Sequence, residues 1–321
     1  MNAAACTEPA RVLETLTAAD RQGRVWQLER VTCLLCGEAD CSTLHEWDSP
    51  YESVPMRFQV AKCPACGFLF TNPRLSQTAL IRYYSERTQY ANDDYHQIAE
   101  VRPRYENFLE ALARHGCNQR RLFEIGCDKG QFLHIAREQG WTVAGIELSA
   151  GADIARERYG LPVRRVSLEE AELAPENCDA VVMLDVLEHI SQPMHCLRAV
   201  SAALAPGGLF LIKVPNVRHE HGLYIRLRGR ALGFGAHEHL SHFSQRTLTQ
   251  ALRIAGMEPV EWLGFFPLLG RGIVGRLAAQ TVFQANRAIS AVWLGWPDYH
   301  VSLVCLARKA SAAPARSTNG S

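Results

Sequence analysis

Four cysteines in two matched pairs offer the first chemistry: Cys33-Leu-Leu-Cys36-Gly37 and Cys63-Pro-Ala-Cys66-Gly67, with residues 38–62 between them. Thiolates three positions apart, each pair followed by a glycine that permits a tight turn, can face one ion, and two such knuckles supply tetrahedral sulfur for Zn²⁺. Four thiolates leave no open position, so the predicted Zn²⁺ is structural, and a module this small draws much of its folding energy from the metal. The competing readings are incidental core cysteines or a redox pair. Cys41 and His45 are substitute ligands at poorer spacing. The intervening stretch from Glu38 to Val60 is acidic rather than basic, which speaks against nucleic acid as a partner.

The second chemistry lies in Phe123-Glu124-Ile125-Gly126-Cys127-Asp128-Lys129-Gly130, between a predicted strand and its helix. Glycines at 126 and 130 let the backbone turn tightly and approach a ligand at the carboxyl end of a parallel strand. A dinucleotide fingerprint starting at Gly126 needs glycines where the chain has Asp128 and Gln131, which disfavours NAD. Glu147 ends the next strand, where a carboxylate can accept both hydroxyl hydrogens of a ribose. Each element alone is a plain turn or a solvated acid; together, at this spacing, they point to nucleoside binding.

Alternating elements position these groups. Arg121–Ile125, Thr142–Glu147, Ala180–Leu184 and Leu209–Val214 read as short apolar strands. Helices are predicted over Gly130–Gln139, from a Ser149 cap to Tyr159, and from Ser191 to the Pro206-Gly207-Gly208 stop. The alternation predicts an α/β fold, a parallel sheet with helices on both faces. Apolar runs at Pro259–Phe266 and Tyr299–Ala307 predict a closing pair on one edge. The expected organisation is a flexible lead-in (1–29), a zinc-ribbon-like module (30–75), a helical connector or lid with a restart at Pro103 (76–118), a cofactor domain (119–308) and a disordered tail (309–321). Tyr84 and Tyr90 are candidate lid residues. The amphipathic stretch Arg271–Ile289 reads as a helix covering the sheet, with membrane-surface contact as the competing reading.

Composition narrows the class. The 321 residues carry 34 Lys and Arg against 33 Asp and Glu, and 47% are hydrophobic. No overall field attracts nucleic acid, and wholesale disorder is excluded. No run approaches the about 18 apolar residues of a membrane-spanning helix. The opening MNAAACTEPA lacks a basic region followed by an apolar one, so no secretory signal is visible and a cytoplasmic location is expected.

Glu124-x-Gly126-x-x-x-Gly130, Glu147 and Asp185-Val-Leu-Glu188-His189-Ile190 resemble class I S-adenosylmethionine-dependent methyltransferases, in the subgroup related to ubiquinone-pathway enzymes. Pro206-Gly-Gly208 and a strand ending Val214-Pro215-Asn216 fit the same family, over about residues 104–308. Asp128 departs from it, standing where many members carry glycine. The resemblance implies a Rossmann-like, seven-stranded sheet whose last strand is antiparallel. It also implies S-adenosyl-L-methionine as cofactor: Glu124, Gly126, Cys127, Asp128 and Gly130 around its methionine part, Glu147 at the ribose, Ser167 and Leu168 near the adenine, and Asp185 near the sulfonium. Cys63-Pro-Ala-Cys66-Gly-Phe-Leu-Phe-Thr-Asn-Pro73 with Tyr83-Tyr84 is similar to the zinc-binding front module of bacterial sugar and glycan-pathway methyltransferases.

Residues 216–243 read as an insertion rich in histidine: His219, His221, His237, His239 and His242. Glu238-His239-Leu-Ser-His242-Phe243-Ser244 resembles the substrate-side Glu-His stretch of the sugar-type enzymes, which implies Glu238 and His239 as acid/base, with His189 on the same face. An acceptor must lose a proton as it attacks the methyl group, and imidazole, with a pKa near about 6.5, suits that task. Metal binding by His237, His239 and His242, or capping of the next helix, are the competing readings. The expected function is methyl transfer to a small acceptor, a sugar or nucleotide-linked sugar first. The rivals are an O- or N-methyltransferase on another metabolite and a non-catalytic nucleoside-binding regulator.

Overall fold

The computed structural model describes residues 10–19, 23–48, 57–86, 98–117, 120–217, 238–263 and 302–310. The chain begins with a hairpin where the sequence predicts a loose lead-in: β1 (Val12–Ala19) pairs antiparallel with β2 (Val25–Val31). In β2, Trp26 and Leu28 are buried while Val25 and Gln27 are exposed, the alternation of a half-buried strand. β1 is almost wholly exposed and is held by backbone pairing, so its side chains carry little pattern.

After the first knuckle, β3 (Ser42–Asp48), β4 (Arg57–Lys62) and β5 (Leu69–Thr71) form an antiparallel meander, and β6 (Arg74–Leu75) returns to pair with β2. Arg74 is only 1% exposed. Its Nη1 donates to the Ser191 carbonyl, and Nη2 lies 3.5 Å from Glu29 Oε2. It thus ties the N-terminal hairpin to the loop after a central strand. Arg74→Met should destabilise the protein by about 3–5 kcal/mol, because Glu29 and a buried carbonyl lose their partner. A chemical melt showing less than about 1 kcal/mol, a surface-pair effect, would refute this role.

Helix α1 (Gln77–Glu86) is followed by α2 (Ile98–Arg114), which buries Val101, Phe108, Leu109, Ala111 and Leu112. The helix runs through Pro103 without the predicted restart. Proline near a helix start forfeits one backbone bond, here to Ala99, and leaves the later ladder intact.

The central sheet follows: β7 (Arg121–Ile125), α3 (Gln131–Glu138), β8 (Thr142–Ile146), α4 (Gly151–Tyr159), β9 (Val163–Arg164), α5 (Leu168–Ala171), β10 (Cys178–Leu184), α6 (Pro193–Ala203) and β11 (Leu204–Pro215). Beyond them lie β12 (Ser241–His242), α7 (Gln245–Ile254), β13 (Met257–Leu263) and β14 (Ser302–Lys309). The seven-stranded sheet has the order β13-β14-β11-β10-β7-β8-β9. β14 alone runs antiparallel, between β11 and β13, as the family resemblance implies. Val181, Val182, Phe210, Leu211 and Ile212 are fully buried, because helices cover both faces of these strands. Two sequence expectations shift. Pro206–Gly208 lies inside β11, at an irregularity in its pairing with β10, and α6 stops earlier, at Ala203. Ser149 Oγ accepts from the Gly151 N–H at 3.1 Å but stands one residue before the N-cap, Ala150.

β12 leaves this sheet and pairs with β5, giving a four-stranded sheet β12-β5-β4-β3. The stretch carrying Glu238 and His239 is thereby sewn to the cysteine-bearing part of the chain.

Candidate functional site

The turn after β7 is built from three left-handed residues: Gly126 at φ 71°, Asp128 at φ 46° and Gly130 at φ 77°. A Cβ at Gly126 would stand 2.5 Å from Val186 Cγ2, and one at Gly130 2.6 Å from Leu161 Cδ1, so both positions need glycine twice over. Asp128 explains the departure from the family pattern. Its backbone takes the conformation for which glycine is the usual choice, and aspartate is among the few other residues that adopt it.

Glu147 locks this turn. Its Oε2 accepts from the Asp128 N–H at 2.9 Å and its Oε1 from the Ser149 N–H at 2.7 Å. Each carboxylate oxygen keeps a further lone pair for a ligand hydroxyl. Behind the turn, Glu124 is 3% exposed and its Oε2 makes no hydrogen bond. Burial, then the Glu147 and Asp128 charges, push its pKa well above the ordinary carboxylate range. Shielding within the loop and the Glu147 charge also raise Asp128. Three mutually repelling carboxyl groups, one with an orphaned oxygen, fit a ligand that brings positive charge and ribose hydroxyls, as S-adenosylmethionine does.

The turn opens on a cleft of about 560 Å³, within the usual range of ligand sites. Of the predicted residues, Gly126, Asp128, Glu147, Ser167, Leu168, Asp185, His189, Glu238 and His239 line it. Glu124, Cys127 and Gly130 stand behind this lining. Cys127 is 5% exposed and packs with Phe132 and Leu133, so its side chain serves the core rather than a ligand. Ser167 caps α5 in a reciprocal pair with Glu170. Asp185, at φ 56°, is ion-paired with Lys213 at the end of β10.

Across the cleft, a short 3₁₀ turn at Leu187–His189 sets Glu188 and His189 against the 238–243 stretch. The His189 and His239 rings lie 4.8 Å apart, and the Tyr84 ring stands 5.9 Å from His189. His189 Nδ1 is 3.0 Å from the Glu238 carbonyl oxygen. The Glu238 carboxylate accepts from the Tyr83 hydroxyl. His242 is buried and its Nε2 lies 3.1 Å from Thr71 Oγ1, which places it in the scaffold. The sequence singles out neither Glu188 nor Tyr83 for a role of its own; each stands only within a longer motif, Asp185–Ile190 and Cys63–Tyr84. His219, His221, His237, Tyr90 and Arg271–Ile289 lie outside the described residues.

The two knuckles meet. Cys33 Sγ lies 3.6 Å from Cys66 Sγ, and Cys36 Sγ 3.5 Å from Cys63 Sγ. Sulfurs about 2.3 Å from a tetrahedral ion stand roughly 3.7 Å apart, so the set fits Zn²⁺. Gly37 and Gly67 return their N–H groups to the Cys33 and Cys63 carbonyls at 2.9 Å each, making both turns alike. Cys41 lies outside this group, its Sγ 3.5 Å from the Glu38 carbonyl. Among the described residues two groups place metal-ligating atoms within 4.8 Å of one another: these four cysteines, and Glu188, His189 and His239. No described helix is long and apolar enough to cross a membrane.

A family model described as "Methyltransferase domain" matches residues 90–261, more than half of the chain. The ubiquinone biosynthesis O-methyltransferase of Ruegeria pomeroyi is 32% identical over 156 residues, covering 45% of this chain and 62% of that protein. The chain thus spans less than two thirds of that relative's length. The protein of the same name from Dechloromonas aromatica is 25% identical over 199 residues, covering 58% and 84%. Among solved structures, an S-adenosylmethionine-dependent methyltransferase from Archaeoglobus fulgidus is similar at a TM-score of 0.47 and 17% identity, covering 66% of this chain and 95% of that one. With the sheet order, the glycine turn and the strand-end acid in place, this chain belongs to the methyltransferase-domain family.

Proposed function

We propose that the chain transfers the methyl group of S-adenosylmethionine to a hydroxyl oxygen of a small biosynthetic molecule. The observation that carries this reading is the Glu147 carboxylate, fixed by two backbone N–H groups at the mouth of the cleft that also holds His189 and His239. When bound, the cofactor supplies a methyl carbon on a positively charged sulfur. The turn at 126–130 and Glu147 would hold the adenosyl and methionine parts, with Ser167 and Leu168 beside the base and Asp185 towards the sulfonium. The acceptor proton leaves towards the His189–His239 pair, with Glu238, anchored by Tyr83, holding the flap in register. Alignment over this cleft can remove several kcal/mol of the barrier.

Relatives named O-methyltransferases favour an oxygen acceptor. A sugar or nucleotide-linked sugar is the narrower reading. It is favoured by the four-cysteine module, which we assign as a structural zinc ribbon joined through β5 to the acceptor flap. His239→Ala should lower kcat by about 10²–10⁴-fold while cofactor affinity changes little. The check is single-turnover methyl transfer over a panel of sugar and phenolic acceptors beside calorimetry with the cofactor. Unaltered turnover in the variant would remove His239 from the chemistry.

A further inference from the structure

We infer that Lys213 is a positioning residue of the cofactor site: its ion pair with Asp185 sets how strongly the cleft prefers the charged methyl donor over the demethylated product. The inference rests on the methyl-transfer reading, which turns Asp185 towards the sulfonium.

Lys213 stands where a lysine needs a reason. It is the one charged residue in the apolar run from Leu209 to Val214, and it is 9% exposed. In the ladder it pairs with Leu184 of β10 on one side and Val304 of β14 on the other, so it lies within the sheet rather than at an edge. The period of a strand sets it on the same face as Leu209 and Leu211, both buried. Lysine is almost never so buried unless paired. Its Nζ meets Asp185 Oδ2, and the Asp185 N–H donates to the Lys213 carbonyl at 2.9 Å. Main chain and side chain thus clamp the same two residues together. The Asp185 side chain is 47% exposed and lines the cleft, whereas that of Lys213 is 11% exposed and does not. A ligand in the cleft meets the carboxylate with the ammonium behind it.

The charge balance gives this pair its consequence. The described lining carries Asp128, Glu147, Asp185, Glu188 and Glu238, and no lysine or arginine. The methyl donor has a positive sulfur and the product a neutral one, so an isolated Asp185 carboxylate would favour the donor alone. Opposite charges in contact largely cancel at the distance of a ligand. With Lys213 in place, Asp185 can orient the donor without binding it much more tightly than the product. Extra binding spent only on the bound reactant deepens its well and slows the chemical step.

The test is calorimetry of the full chain with S-adenosylmethionine and with S-adenosylhomocysteine, read as the ratio of the two affinities. Lys213→Met keeps the unbranched apolar stem and removes the charge; it should shift the ratio tenfold or more towards the donor. Lys213→Gln should shift it the same way, and Lys213→Arg should leave it within threefold of wild type. Asp185→Asn, which leaves the ammonium unbalanced, should shift it tenfold or more towards the product. A packing defect weakens both ligands alike and leaves the ratio alone. A ratio within threefold of wild type in the neutral Lys213 variants overturns the inference and leaves the proposed function standing, as does a shift of the same sign in Asp185→Asn. Neutral variants that lose both ligands alike place Lys213 in the scaffold and overturn it too. Wild-type protein that binds neither ligand overturns the proposed function, and the inference with it.

Discussion

Glu147→Gln should abolish measurable binding of S-adenosylmethionine and of its demethylated product. Both oxygens of the native carboxylate already accept backbone N–H groups, from Asp128 at 2.9 Å and from Ser149 at 2.7 Å. An amide replaces one of these acceptors with a donor, so one N–H meets another and the turn loses a fixing bond. The same change removes the charge that would receive the ribose hydroxyls. Hydrogen bonds to a charged group contribute about 1.5–3 kcal/mol each, so losing two costs about 3–6 kcal/mol, or roughly two to four orders of magnitude in affinity. Calorimetry is the measurement, with Glu147→Asp as a companion that keeps the charge but shortens its reach. Affinity within threefold of wild type in the glutamine variant would detach Glu147 from the cofactor, and the nucleoside reading with it.

What the sequence discloses is uneven, and the unevenness has physical causes. β7, β8, β10 and β11 were legible because strands covered on both faces are mostly apolar along their length. The glycines of the turn and of both knuckles were legible because left-handed backbone leaves few other choices. The β1–β2 hairpin was not, since one of its strands buries almost nothing and is held by main-chain bonds. The pairing of Ser241 and His242 with Leu69 and Phe70 was equally hidden. A two-residue strand has no period to detect, and its partner lies far away in the chain. Cys127 sat inside a ligand-binding motif, yet its side chain faces the core: a motif fixes the backbone of a turn and leaves some of its side chains to packing. Glu188 carries the complementary lesson. Its neighbour His189 drew attention as a titratable group, while the acid's place beside His239 is set by a short 3₁₀ turn that no sequence period announces.

That same β5–β12 seam makes the cysteine module a support for the acceptor flap, and gives the second large effect. Cys63→Ser, or extraction of the metal by a strong chelator, should lower acceptor turnover by orders of magnitude while leaving cofactor affinity within a few fold. The four sulfurs stand at tetrahedral separations, and burial pushes the Cys36 thiol up to about 12 when it must ionise without a cation beside it. Zinc holding small modules of this kind contributes apparent folding free energies of about 10–16 kcal/mol, more than their few core side chains can replace. Without it β5 has no fixed frame, and with β5 go the Thr71 hydroxyl's bond to the His239 carbonyl and the β12 pairing. The glycine turn and Glu147 hang from β7 and β8 instead, whose neighbours in the large sheet do not involve the knuckles. Elemental analysis, turnover and cofactor calorimetry on the same samples separate the two halves of the claim. A metal-free protein that keeps full turnover would show that the knuckles hold no structural ion, and an equal loss of cofactor binding would show that the flap and the cofactor turn fold as one unit.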